Sequence, residues 1–221
     1  MPNPEIRLFH VSPLQTNCYA LVSAETDETG KRACVVVDPG GSGAEVAKRL
    51  DDVHVSMVVA THGHGDHVGG VRALCEATGA PFAISAADAE RAQNARANSS
   101  HSFGYEADAP APDVLLSEGD EVVAGGLRLR VMEAPGHTPG GIVLVGESGS
   151  EAEGIALVGD TLFAGSAGRT DLAGGSAEVL MQTLERLKRE LPDETVILSG
   201  HGEPTTMECE KASNPFFARE L

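Results

Sequence analysis

Ten residues, THGHGDHVGG at positions 61 to 70, hold three of the eight histidines in a chain of 221 residues, together with an aspartate and four glycines. Imidazoles this close repel one another when protonated and compete for the same hydrogen-bond partners when neutral, so packing gives little reason to collect them. A bound cation does. Two residues apart on extended backbone, His62 and His64 project to one side, while Gly63 and Gly65 let the chain bend tightly round an ion. Asp66 and His67 fall past the bend. The stretch therefore offers two imidazoles to one metal and a carboxylate with an imidazole to a second.

Apolar runs of strand length alternate with amphipathic segments around this cluster. CYALV (18–22) and ACVVVD (33–38) flank the polar turn SAETDETGKR and predict an antiparallel pair. VSMVVAT (55–61) is apolar on both faces, as a central strand is, and the histidines begin where it stops. LRLRVMEA (127–134), GIVLVGE (141–147), GIALVGD (154–160) and ETVILSG (194–200) are further short β-type runs. Helices are predicted for AEVAKRL behind a Ser42 cap, for VRALCEATG (71–79), and for SAADAERAQNARANS (85–99) behind a capping box of Ser85 and Asp88. Leu180, Leu184, Leu187 and Leu191 line one face of another helix, ended by Pro192. Strands in two batches, each followed by helices, predict two sheets with helices outside, and no linker divides residues 1–221. The stretch 98–112, NSSHSFGYEADAPAP, loses periodicity and is expected to be a surface loop long enough to act as a lid.

The inner strands end in metal-ligand residues. VVAT is followed by His62, His64, Asp66 and His67, VMEAPG by His137, IALVG by Asp160, and VILSG by His201. Ligand sites in open sheets gather where strands end, because the strand fixes the position and the next loop turns side chains inward. Five imidazoles and two carboxylates suit two divalent ions, with zinc the default and iron or manganese also matching the donors.

Composition narrows the partners. Thirty-three acidic against sixteen basic residues give a formal charge of -17, which repels phosphate backbones and anionic leaflets, so neither nucleic acid nor a membrane is expected. Aromatics at 4% without tryptophan offer no base-stacking platform. Cys18, Cys34, Cys75 and Cys209 lack CxxC spacing and are expected to be buried reduced thiols. With no signal-type leader and no apolar run of about 18 residues, the chain is expected to be cytoplasmic.

THGHGDHVGG, APGHTPGG (134–141), GDTLFAGSAGRTDL (159–172) and SGHGEPTT (199–206) stand in the order and phrasing of the metallo-β-lactamase superfamily. More closely the chain resembles the hydroxyacylglutathione hydrolases (glyoxalase II), above all their short bacterial relatives, from PLQTNCYALV to the terminal NPFF. The resemblance implies an αββα sandwich. It implies His62, His64 and His137 on a first metal, Asp66, His67 and His201 on a second, and Asp160 bridging. It also implies catalysis by Asp66 and Asp160 with a bridging hydroxide that attacks the thioester of a small acyl-thiol such as S-lactoylglutathione. Full-length glyoxalase II carries a further helical domain that holds the glutathione carboxylates. This chain reaches Leu221 soon after His201, and its GRTDL block lacks the lysine or tyrosine that helps hold glutathione, so another acyl-thiol fits the motifs equally well.

Other positions carry two readings. Asp38, in VVVDPGG, is a turn former or a group that orients a histidine. Arg169 suits a salt bridge with Asp171, and is also the best anion-binding candidate for substrate. Phe103 and Tyr105 line a pocket or ride an exposed loop, and His101 is undecided. Glu210 and residues 214–216 anchor the C-terminal segment, while His10 and His54 are surface or packing residues. Rival functions on the same fold are a persulfide dioxygenase with a single iron, a lactonase or β-lactamase, and a metalloprotein without turnover. The histidine at position 64 disfavours a flavodiiron protein, whose pattern has glutamate there.

Overall fold

A computed structural model describes residues 3–27, 30–103 and 107–217. Why these segments form strands is plain in β2 (Thr16–Thr26), whose first eight residues are all buried. Cys18, Ala20 and Val22 face one apolar cluster, and Tyr19 and Leu21 face another. With a side-chain period of two, such a strand must be covered on both faces. β3 (Arg32–Val37) behaves likewise, sending Cys34 and Val36 one way and Ala33, Val35 and Val37 the other.

The described residues form two six-stranded sheets. The first runs β1 (Glu5–Val11), β2, β3, β4 (Val53–Val59), β5 (Phe82–Ser85), β6 (Val114–Leu116). The second contains β7 (Glu121–Ala124), β8 (Leu127–Glu133), β9 (Ile142–Gly146), β10 (Ile155–Gly159), β13 (Val196–Ser199) and β14 (Thr205–Thr206), in the order 14-13-10-9-8-7. A two-stranded ribbon of β11 (Leu162–Phe163) and β12 (Ser166–Ala167) follows β10. Between the sheets, Leu21 and Val35 pack with Leu127, Leu129, Val131, Leu144 and Leu157. Outside the first sheet lie α1 (Gly43–Lys48), α3 (Val71–Thr78) and α4 (Ala86–Ala92), and α5 (Ala177–Glu190) covers the second with Leu180, Leu184 and Leu187 against Val143, Ala156 and Ile197. The architecture is the expected αββα arrangement of two sheets flanked by helices. Among the described residues no helix is long and apolar enough to cross a membrane.

The predicted β2–β3 pair is antiparallel, with Val22 opposite Cys34. β3 and β4 are parallel, as are β4 and β5, β5 and β6, and β10 and β13. Parallel neighbours point their carboxyl ends the same way, so the segments after β3, β4, β10 and β13 collect at one end of the sandwich.

Local details depart from the sequence reading. Ser42 precedes α1 but adopts φ 53° and makes no side-chain cap bond. The capping box at Ser85 and Asp88 does not form, because both side chains are drawn to the site loops. The helix expected over 85–99 stops at Ala92, beyond which Asn94 Oδ1 takes the amides of Arg96 and Ala97 and turns the chain. The described part of the expected lid is tied down, with Asn98 Nδ2 donating to Ala107 O and the Ala109 amide to Ala92 O.

The thiols divide. Cys18 and Cys34 are buried, Cys75 is half-buried, and Cys209, expected inside, is exposed. Burial pushes the Cys34 thiol up to about 12 and the Cys75 thiol up to about 11. A thiol reagent at neutral pH is therefore expected to titrate Cys209 quickly and the other three only on unfolding. More than one fast thiol in the native protein would contradict this.

Candidate metal centre

All seven predicted donors meet at the strand ends. His62 follows β4 in a bend, His64 comes next on extended backbone, and Asp66 and His67 sit on α2 (Gly65–Val68), a single helical turn. His137 follows β8, Asp160 follows β10 and His201 follows β13. Three groups have ligand atoms within 4.8 Å of one another: His62, His64 and His137; His62, His67 and Asp160; and Asp66, His67 and His201. Asp160 lies between the first and third. Its Oδ1 is 3.3 Å from His67 Nε2, and its Oδ2 is 3.6 Å from both His137 Nε2 and His201 Nε2.

The surroundings select one tautomer at two rings, those of His137 and His62. His137 Nδ1 is 2.7 Å from the Arg169 carbonyl, which only accepts, so Nδ1 carries the proton and Nε2 the lone pair. Thr61 Oγ1 donates to Asp38 Oδ2 at 2.7 Å and so accepts from His62 Nδ1 at 3.1 Å. His67 Nδ1 faces Asp38 Oδ2 at 3.0 Å. Their Nε2 atoms all point inward. His62 Nε2, both His67 nitrogens and Asp160 Oδ1 are buried without an aligned hydrogen-bond partner, while His64 turns its Nδ1 to within 2.9 Å of His137 Nε2. Buried polar atoms without partners are costly, and cations seated among the facing His62, His67 and Asp160 atoms would satisfy them. The donor set thus fits divalent metal ions.

Ionisation agrees. Burial, reinforced by the His67 and His137 imidazoles, holds His62 well below the ordinary histidine range. Burial and His137 bring His64 down to about 3. Both are neutral at pH 7, the form that ligates metal. Burial would also lower His67, but Asp160, Asp66 and Asp38 together raise it well above its usual range. Burial would raise Asp66, but His67 and His201 outweigh it and keep that carboxyl low. The carboxylates hold a positive charge at this spot, which a metal cation supplies in place of the proton.

Asp38 fills both roles, turning the backbone so that the Gly40 amide donates to its carbonyl and bonding Thr61 beside His62 through its carboxylate. It also accepts the Thr61 amide at 2.7 Å, fixing the backbone just before His62. Its φ of 55° is a conformation asparagine tolerates, so Asp38→Asn is expected to fold and to lose about 10- to 100-fold in metal affinity by chelator competition. Unchanged affinity would remove Asp38 from the orienting role. Asn17, which the sequence reading passed over, clamps the His201 turn through Nδ2 to Ser199 O at 3.0 Å and Gly202 O at 2.8 Å. Thr16 Oγ1 donates to Asp66 Oδ2 at 3.2 Å.

Of the substrate candidates, Arg169 is exposed and held by Asp171 in two 2.7 Å hydrogen bonds, so an arriving anion must compete for it. Tyr105 and the side chain of Phe103 lie outside the described residues. His10 and His101 are exposed, and His54 pairs with Asp27 on the surface. Glu210 is buried and accepts from Gly165 N, Thr205 Oγ1 and Asn214 Nδ2, anchoring α6 (Met207–Ser213) to the β11–β12 turn as expected. His201 is the most exposed donor, 28% accessible, with Phe163 6.3 Å away between ring centroids, so the centre opens on that side.

A family model described as metallo-beta-lactamase superfamily matches residues 11–201. The chain belongs to this superfamily. Among superfamily relatives, an uncharacterized protein of Aquifex aeolicus is 35% identical over 96% of both chains. The hydroxyacylglutathione hydrolase GloC of Haemophilus influenzae is 31% identical over 96% of this chain and 97% of its own. Among solved structures, the BLEG-1 B3 metallo-beta-lactamase superposes with a TM-score of 0.86 at 28% identity, covering 97% of this chain and all of its own. The di-iron-bound form of TTHA1623 gives 0.80 at 31%, covering 95% and 99%. ETHE1 from Myxococcus xanthus gives 0.74 at 27%, covering 98% and 86%.

Proposed function

We propose that this superfamily member is a two-metal hydrolase of small acyl-thiol thioesters, of the hydroxyacylglutathione hydrolase type. The observation that carries the reading is the placement of Asp160, whose two oxygens face His137 of the His62, His64 and His137 group and His67 and His201 of the Asp66, His67 and His201 group. A carboxylate set between two ligand groups suits a pair of ions. His62, His64 and His137 would hold one, and Asp66, His67 and His201 the other, with Asp160 shared. Zinc matches the donors, and the di-iron form of TTHA1623 supports iron as the competitor. When bound, such ions supply Lewis acidity, polarising a carbonyl and acidifying a water.

The chain's residues supply the rest. Asp66 stays ionised and can orient a water through Oδ2, whose direction Thr16 fixes. The side near His201 and Phe163 admits the substrate, and buried His62, His64 and His67 exclude bulk water behind it. The likeness to GloC supports a thioester substrate. The likeness to ETHE1 equally fits a second reading, a persulfide dioxygenase with one iron. Elemental analysis beside assays on S-lactoylglutathione, a panel of acyl-thiols and glutathione persulfide tests both. Two ions per chain with thioester hydrolysis is the expected result. One iron with sulfite production from persulfide would overturn it.

A further inference from the structure

We propose that Asp88 is a positioning residue that holds the two loops of the three-imidazole group in register with one carboxylate. It rests on the proposed reading that His62, His64 and His137 form one metal site. Asp88 sits in the first turn of α4, fully buried. Its Oδ2 accepts the amide of Gly63, between His62 and His64, at 2.8 Å. Its Oδ1 accepts the amide of Gly140, three residues after His137, at 2.9 Å. Ser85 Oγ, at the N-cap of the same helix, donates to Gly140 O, so the helix takes hold of both polar groups of that residue.

Both loops approach α4 as closely as glycine allows. A Cβ on Gly63 would stand 2.8 Å from Asp88 O, and one on Gly140 would stand 2.6 Å from Asp88 N. Distance between the loops is therefore set through α4. Arg91, one turn on, extends the brace. Its Nε is 3.7 Å from Asp88 Oδ1, and its terminal nitrogens donate to Ala97 O at 3.0 Å and Ala173 O at 2.8 Å. The Asp66, His67 and His201 group has other supports in Thr16, Asp38 and Asn17. A change at Asp88 should thus reach one ligand group and spare the other.

Asparagine at this position keeps one acceptor and turns an N–H2 toward an amide that also donates. Asp88→Asn in the full-length chain is expected to weaken one of two stepwise metal affinities by about tenfold or more and leave the other nearly unchanged. Asp88→Ala is expected to weaken the same step further. Chelator competition reads the affinities, and the cobalt(II) d–d spectrum reports whether the distorted site is the imidazole-rich one. A merely structural role would lower the unfolding temperature without separating the two affinities. Equal affinities in Asp88→Asn and wild type would overturn the proposal.

Should the variants fail to fold, amide exchange in the wild-type protein provides the second test. The Gly63 and Gly140 amides are expected among the slowly exchanging groups, and fast exchange at both would overturn the brace. A wild type that binds no metal would refute the proposed function alone, because the exchange measurement still reads the brace.

Discussion

Asp160→Asn is expected to fold and to lose roughly two to three orders of magnitude of thioester hydrolysis, with less than a full complement of metal. The substitution is nearly isosteric at a side chain only 12% exposed, so packing around it should survive. What disappears is the negative charge that faces His67, His137 and His201. Stabilisation of transition-state charge by metal is worth several kcal/mol, and about 1.4 kcal/mol corresponds to a factor of ten. Losing half of the paired centre should remove most of that. Metal content and initial rate, measured on the same preparation, check the result. If both match wild type, the bridging role is wrong and the two-ion reading falls with it.

The second large effect is expected at a residue with no side chain. A Cβ on Gly40 would coincide with the carbonyl of Asp66, so Gly40→Ala must push α2 away from the loop after β3. Neither neighbour is a flexible side-chain end, and overpacking of this kind costs about 1–3 kcal/mol, occasionally more. Asp66 and His67 ride on α2, so metal binding should fail along with stability. Gly149→Ala is the control, since nothing lies within 4 Å of a Cβ there. Its φ of 76° strains alanine by about 1 kcal/mol, and metal content should be unchanged. Denaturant unfolding and metal analysis of the pair would show whether the close approach at Gly40 matters as described. Equal losses in both variants would show that it does not.

The strands that stand out most in the sequence are those buried on both faces, while β8 and α5 are read from one-sided apolar patterns. β3, β9 and β10 carry apolar residues at nearly every position, as do the stretches 18–22 of β2 and 57–59 of β4, and these runs stand out from any neighbour. β1 is an edge strand that exposes Ile6, Leu8 and His10, and β5 and β6 span only Phe82–Ser85 and Val114–Leu116, so their patterns are too short or too mixed to notice. The donors were legible because imidazoles and carboxylates at strand ends have few other reasons to be there. Their supports were not. Asp88 and Ser85 satisfy a capping-box pattern that tertiary contacts override, while Asn17 and Thr16 act on residues far along the chain. Hydrogen bonds between distant segments leave no periodic signal.

The centre lies on the seam where the two sheets end, with His62, His64, Asp66 and His67 on one side and His137, Asp160 and His201 on the other. Ions bound there would act as a rivet through the sandwich at this end, while only the greasy middle layer resists sliding at the other. Stripping them should let the riveted end breathe first, so that protease nicks and solvent entry concentrate there before the rest of the molecule loosens. Ion supply in the cell would then govern how long the protein survives as well as how fast it works, since occupancy at a thousand times the dissociation constant adds about 4 kcal/mol to the folded state.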